Sequence, residues 1–234
     1  MNNTLILLKV RQRLNKLSSA DYDNVPAWQI IEAFNKGTVN WCRRNLHGMN
    51  TKQEGDEQSK RRIDDLQILL TETPVTLSKK DLYLESDTLP DDYMEWKRIS
   101  AKAKDDCCDD NRNMIIYLAE EGNVDTLLRD KHKQPNFEWA ETFCTLKSNR
   151  VRIYTNNKFT LVKPILSYYR QPVRIQILGE ENPYTQLTSI VEVESEFKDD
   201  LVELFVDEAV KILAGDIESM NQKQTATSQV EGNN

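Results

Sequence analysis

Residues 135–172 read PNFEWAETFCTLKSNRVRIYTNNKFTLVKPILSYYRQP. Val151-Arg152-Ile153-Tyr154 alternates apolar and polar side chains, so Val151 and Ile153 share one face of an extended strand and Arg152 and Tyr154 the other. Asn156-Asn157 supplies two residues that tolerate positive φ, as a tight hairpin turn demands. Residues 159–169 then return as a second, longer strand. The expectation is a compact antiparallel sheet with one face packed and one wet. No catalytic residue set or phosphate loop lies in the stretch, which suits a scaffold or a surface that touches another protein.

Upstream, residues 71–96 are rich in Thr, Val, Leu and Tyr and are punctuated by Pro74 and Pro90, favouring strands and turns. Residues 93–103 read as a strand packing on the sheet, 105–112 (DDCCDDNR) as a charged loop, 114–118 as a short strand and 123–129 as a short helix. Three helices precede them. The first carries a stripe of Leu7, Val10, Leu14 and Leu17. The second, capped by Asn24 with Pro26 near its start, runs to about Leu46 and buries Ile30, Ile31, Phe34, Thr38, Trp41 and Cys42. The third, residues 59–70, begins basic (Lys60, Arg61, Arg62) and ends apolar.

Downstream, 179–184 is a turn region and 194–220 the clearest helix. Its apolar face is Phe197, Leu201, Leu204, Phe205, Ala209, Ile212, Leu213 and Ile217, set against a row of acids. The residues after Met220, NQKQTATSQVEGNN, have no pattern and too few apolar side chains to fold alone. The expected fold class is α+β. N-terminal helices occupy 1–70 and a β-rich antiparallel middle 71–192. A long C-terminal helix packing on the helical part occupies 193–221, and a polar extended tail 222–234.

Of 234 residues 38% are hydrophobic and 29% charged, a wetter balance than a compact enzyme shows, and one that suits a subunit completed by partners. Only 7 glycines occur, which argues against loops that wrap phosphates or nucleotides. The net charge of −7 is lopsided: residues 1–191 sum to +1 and residues 192–234 to −8. Glu196, Asp199, Asp200, Glu203 and Asp207 form the expected acidic surface. Such a surface repels phosphate; it suits a basic protein partner, a solvated face or a passage through which DNA slides without sticking. No secretory signal peptide and no membrane-length apolar run occur, and Cys42, Cys107, Cys108 and Cys144 show no metal or redox spacing, which favours a reducing cytoplasm.

Cys107, Cys108, Asp109 and Asp110 crowd donors without the spacing that lets ligands converge. Cys144 with His132 would be the sole Cys–His pair, and no oxyanion glycine accompanies it; a buried strand cysteine is the plainer reading. Asp64-Asp65, Asp91-Asp92 and Asp199-Asp200 are adjacent in sequence and so point apart. No catalytic, cofactor or metal site is expected. The candidate partner-binding residues are the turn Asn156-Asn157 and the tail positions Gln222, Lys223, Gln224 and Val230.

Six phrases, in order, are RRIDDLQILL (61–70), LPDDYMEWKRISAKA (89–103), VDTLLRD (124–130), PNFEWAETF (135–143), RVRIYTNNKF (150–159) and LSYYRQP (166–172). Together with an acidic helix and tail, the series resembles the head–tail connector (adaptor, or ring) proteins of tailed bacteriophages, and most closely the ring proteins of crAss-like phages. The resemblance implies a non-catalytic virion subunit, assembled in the host cytoplasm, in a ring of usually twelve copies beneath the portal protein. Such a ring contacts neighbouring tail or ring proteins and passes genome DNA without specific binding; no membrane is involved. The β-rich middle is larger than in short-tailed-phage adaptors, which leaves open the element that grips the portal. The alternatives are another stacked tail ring or tail-completion protein, and a cytoplasmic binding module outside any virion.

Overall fold

The computed structural model describes residues 1–15, 25–49, 55, 60–105, 108–182, 187–216, 227, 228 and 230. In chain order the elements begin with helices α1 (Asn3–Asn15), α2 (Ala27–Leu46) and α3 (Lys60–Leu66). Strands β1 (Leu70–Pro74), β2 (Leu77–Lys79), β3 (Tyr83–Thr88), β4 (Tyr93–Asp105) and β5 (Cys108–Leu118) follow. Helix α4 (Val124–Arg129) leads to β6 (Glu141–Lys147), β7 (Arg150–Tyr154) and β8 (Thr160–Arg170). The short strands β9 (Glu181–Asn182) and β10 (Leu187–Thr188) precede helix α5 (Asp199–Asp216). The fold is α+β, in two compact units: Leu69–Gln171, and Met1–Ile68 with Pro172–Asn234. The middle part therefore ends at Gln171 rather than at residue 192.

In the sheet unit eight strands run in the order β1-β8-β4-β5-β6-β7-β3-β2. Every neighbouring pair is antiparallel except β5 and β6. A parallel pair cannot close through a hairpin, so residues 119–140 cross over and carry α4 on the way. The two outermost strands, β1 and β2, are separated only by Val75-Thr76, a span of at most about 11 Å. The sheet therefore curls until its edges meet. Val75 N–H donates to Pro164 O on β8, and Asp87 N–H donates to Thr76 O, closing the seam.

Alternation along β4 turns Ile99, Ala101 and Ala103 inward and leaves Arg98, Lys102 and Lys104 exposed. The interior joins these residues to Met114, Ile116, Cys144, Val151, Ile153, Phe159, Leu166 and Tyr168. Strand β6 is buried on both faces. Across its outer face runs an in-register aromatic ladder: Tyr117–Phe143 at 6.0 Å, Phe143–Tyr154 at 4.8 Å and Tyr154–Tyr83 at 5.7 Å between ring centroids.

Two local expectations fail in this unit. Asn156 and Asn157 do adopt positive φ (49° and 55°), yet β7 pairs with β6 and β3, not with β8. They form a corner that carries the chain across the barrel. The hairpin instead joins β6 to β7 through Ser148-Asn149, with φ of 53° and 58° and Lys147 opposite Arg150, as a two-residue type I′ turn requires. The charged stretch 105–112 is not a loop throughout. β5 begins at Cys108, and Ala103↔Arg112 and Lys104↔Asn111 extend the β4–β5 hairpin, because backbone pairing needs no apolar side chains.

In the helical unit α5 packs against α2, with α1 alongside α5. Phe205 is the centre: Phe34, Trp41 and Phe197 meet its ring edge-on at 6.0, 5.3 and 5.0 Å. Gly37 lets α2 and α5 approach closely, since a Cβ there would lie 3.2 Å from Cβ and Cγ of Glu208. All six expected α2 core residues are buried. Helix α1 buries Ile6 rather than Leu7, and α5 buries Val202, Val206 and Val210 while Leu204 and Ile212 are half-exposed. α5 begins at Asp199, not 194, because Val193 is still held in an antiparallel bridge with Gln176. Leu17, Asn24 and Ile217 lie outside the described residues.

Residues 173–182 and 187–193 form a two-stranded ribbon fastened to the helices by asparagines. Buried Asn35 acts as a surrogate strand, accepting from Ile175 N–H (2.9 Å) and donating to Ile175 O (3.2 Å). Asn3 donates to Gln176 O, Glu192 Oε1 and Val193 O. Pro172–Glu192 thus belongs with the helices.

Candidate interaction surfaces

The expected acidic surface is largely consumed inside the helical unit. Glu203 pairs with Lys9 and Arg13, and Asp207 with Arg13, bridging α5 to α1. Burial holds the Asp207 carboxyl above its ordinary value even though Arg13 pulls it down. Asp199 pairs with the Met1 amine at 2.5 Å, and Glu196 accepts from Val173 N–H. Glu208, absent from the expected set, is buried and pairs with Arg44 at 2.8 Å. Asp200 alone of the five is an exposed acid with no such bond among the described residues. The row of acids suits a basic partner, a solvated face or a DNA passage when α5 is read alone; the complementary bases on α1, at Lys9 and Arg13, are the signal that much of it is paired within the chain.

Asn156 and Asn157 hold three loops together at one end of the sheet unit. Thr155 and Asn156 N–H both donate to Leu82 O, and the Asn157 amide donates to Asp81 O, fixing the corner to the β2–β3 turn. Lys158 Nζ donates to Gln134 Oε1 (3.0 Å) and Pro135 O, fixing it to the loop before β6. Asn156 is half-buried and Asn157 exposed. In that neighbourhood His132 stacks on exposed Trp139, with centroids 6.1 Å apart and planes 5° from parallel.

The tail is not simply extended. Thr227, Ser228 and Val230 are helical, and Val230 is 4% exposed, which removes it as a free contact. Gln222, Lys223 and Gln224 lie outside the described residues. Exposed apolar side chains occur on several elements, Leu8, Met49 and Ile115 among them, and three that sequence reading did not single out lie beside the ribbon: Leu178, Ile190 and Val191. Neither alternation nor helical period marked them, because they sit in turns and irregular backbone rather than on strands or helices.

Cys144 is fully buried, its Sγ 3.5 Å from Tyr117 O; burial pushes its thiol up to about 12, and burial with Glu196 nearby pushes Cys42 up to about 12. His132 faces Trp139 instead. Among the described residues no group of three or more His, Cys, Asp or Glu side chains could hold a metal, and no helix is long and apolar enough to cross a membrane. The hollow between α3 and the start of α5, about 290 Å³, is lined by Ile68, Phe197 and Leu201 with Asp64, Asp65 and Glu196 at its rim. It presents no nucleophile beside a base. No protein-family model matches the chain, and no curated protein matches it.

Proposed function

We propose that the chain is a structural subunit of a bacteriophage head–tail connector ring, docking beneath the portal and linking it to the tail. The observation that carries this reading is the ordered series of connector-like phrases over residues 61–172, whose limits nearly coincide with the sheet unit, Leu69–Gln171. The likeness therefore spans one whole physical unit rather than scattered segments. Leu178, Ile190 and Val191 add support: exposed apolar side chains beside the ribbon suit a subunit whose burial is completed by neighbours. The interior thiols, held protonated, suit a scaffold rather than a nucleophile.

Mass photometry of the purified protein, alone and with the portal protein from the same genome, tests the proposal. A defined portal complex carrying about twelve copies is the expected result. Co-assembly with a tail nozzle instead would assign a different stacked ring, and a monomer indifferent to both would assign a binding module outside the virion.

A further inference from the structure

The three loops tied together by Asn156, Asn157 and Lys158 carry Lys80, Lys131, His132, Lys133 and Lys158, and Lys79 ends β2 at their border. All are exposed. Asp81, Asp130 and Glu138 lie among them, yet none of the five ammonium groups forms an ion pair among the described residues. Lys158 is spent on an amide and a carbonyl oxygen, and Asp130 accepts instead from the backbone N–H of His132. Lys9, Arg13, Arg44, Lys147, Arg152 and Lys198, by contrast, meet carboxylates, and Lys36, Lys60, Lys102 and Lys163, unpaired among the described residues, lie on other elements.

The rim also has shape and rings. An open hollow of about 820 Å³ is lined by Lys79, Lys80, Asp81, Leu82, Tyr83 and Asn157. The exposed Trp139–His132 stack adds a flat face in the same loop system. Flexible ammonium groups around an open hollow match a repeating array of phosphates better than a compact ligand.

We propose that this rim docks on the phosphate backbone of duplex DNA, without reading sequence. The choice of duplex DNA over other polyanions rests on the connector reading above; the cationic rim does not. The contact is electrostatic, so each lysine that neutralises a phosphate releases counterion and steepens the dependence on salt.

The test is fluorescence anisotropy of the full chain with a labelled duplex of arbitrary sequence. The rim variant K79Q/K80Q/K131Q/K133Q is compared with K36Q/K60Q/K102Q/K163Q, which removes the same charge from exposed lysines elsewhere. Wild-type affinity is expected to fall about a hundredfold between about 50 and 200 mM salt, for roughly four phosphate contacts. The rim variant should lose at least about tenfold at low salt and most of that slope, with an unchanged melting temperature, while the other quartet stays within about threefold. Equal losses in both quartets, or no DNA binding at about 50 mM salt, would overturn the proposal. So would a polyglutamate peptide that displaces the duplex charge for charge, which would assign the rim to an acidic protein surface. Mass photometry of the same preparations separates the two readings. Rings with portal but no DNA binding sink only the rim, whereas DNA binding by a portal-indifferent monomer sinks only the connector.

Discussion

Glu208 shows how a single charged residue can bind two helices while endangering both. It is 4% exposed, Gly37 of α2 lies against its stem, and Arg44 supplies its counter-charge at 2.8 Å. Removing Arg44 strands a buried carboxylate, so Arg44→Met should cost about 3–5 kcal/mol in a urea titration. The double variant Arg44→Met/Glu208→Met should recover most of that, because no charge is then left unpaired. A double variant as unstable as the single one would show that shape, not charge, dominates the site. The thiols of Cys42 and Cys144 make a pH-dependent statement. Both are raised to about 12 in the folded chain, so the folded state holds their protons where the unfolded chain releases them. Their contribution is complete below the unfolded thiol value and is lost as pH rises from about 8.5 towards 12, about 1–2 kcal/mol each by pH 10. Cys42→Ala/Cys144→Ala should flatten that limb of a pH–stability curve. The wild-type thiols should resist alkylation in native protein at pH 8 and react once it is unfolded.

At the scale of elements, the type I′ turn at Ser148-Asn149 is built from a serine where asparagine is the better left-handed residue and an asparagine where glycine is. Ser148→Asn/Asn149→Gly should therefore raise stability by a few tenths to about 1 kcal/mol, measured as a higher melting temperature. A second prediction concerns the ribbon. Asn35→Ala removes both bonds to Ile175, so amides of residues 173–182 and 187–193 should exchange at least about tenfold faster while those of β6–β8 do not change. These two elements also mark what was legible. The faces of α2 and much of α5 followed from helical period, which depends on nearest neighbours alone. Positive φ at Asn156 and Asn157 was legible for the same reason. Which strand a turn joins was not, because Ser148-Asn149 and Asn156-Asn157 offer similar local chemistry and the choice is made by distant partners on β3 and β6. The parallel β5–β6 pair was hidden likewise, and so was the rim, whose lysines come from three loops and the end of β2, separated by up to eighty positions in sequence.

At the scale of the whole molecule, one unit is continuous in sequence and the other is not. Leu69–Gln171 carries its own core and closes its own sheet edges, so a fragment of those residues should fold alone, with a dispersed amide NMR spectrum and a cooperative thermal transition. Met1–Ile68 alone should not, since Ile30, Phe34 and Trp41 would lose Phe205 and its neighbours. The split has a temporal side. A ribosome makes the α1 and α2 faces first and their partner α5 only after the entire sheet has emerged. The barrel can mature while still tethered, whereas the helices wait, apolar faces uncovered, through more than half of synthesis. Chaperone capture during translation should accordingly concentrate on nascent chains that end before α5 and lapse once it clears the exit tunnel.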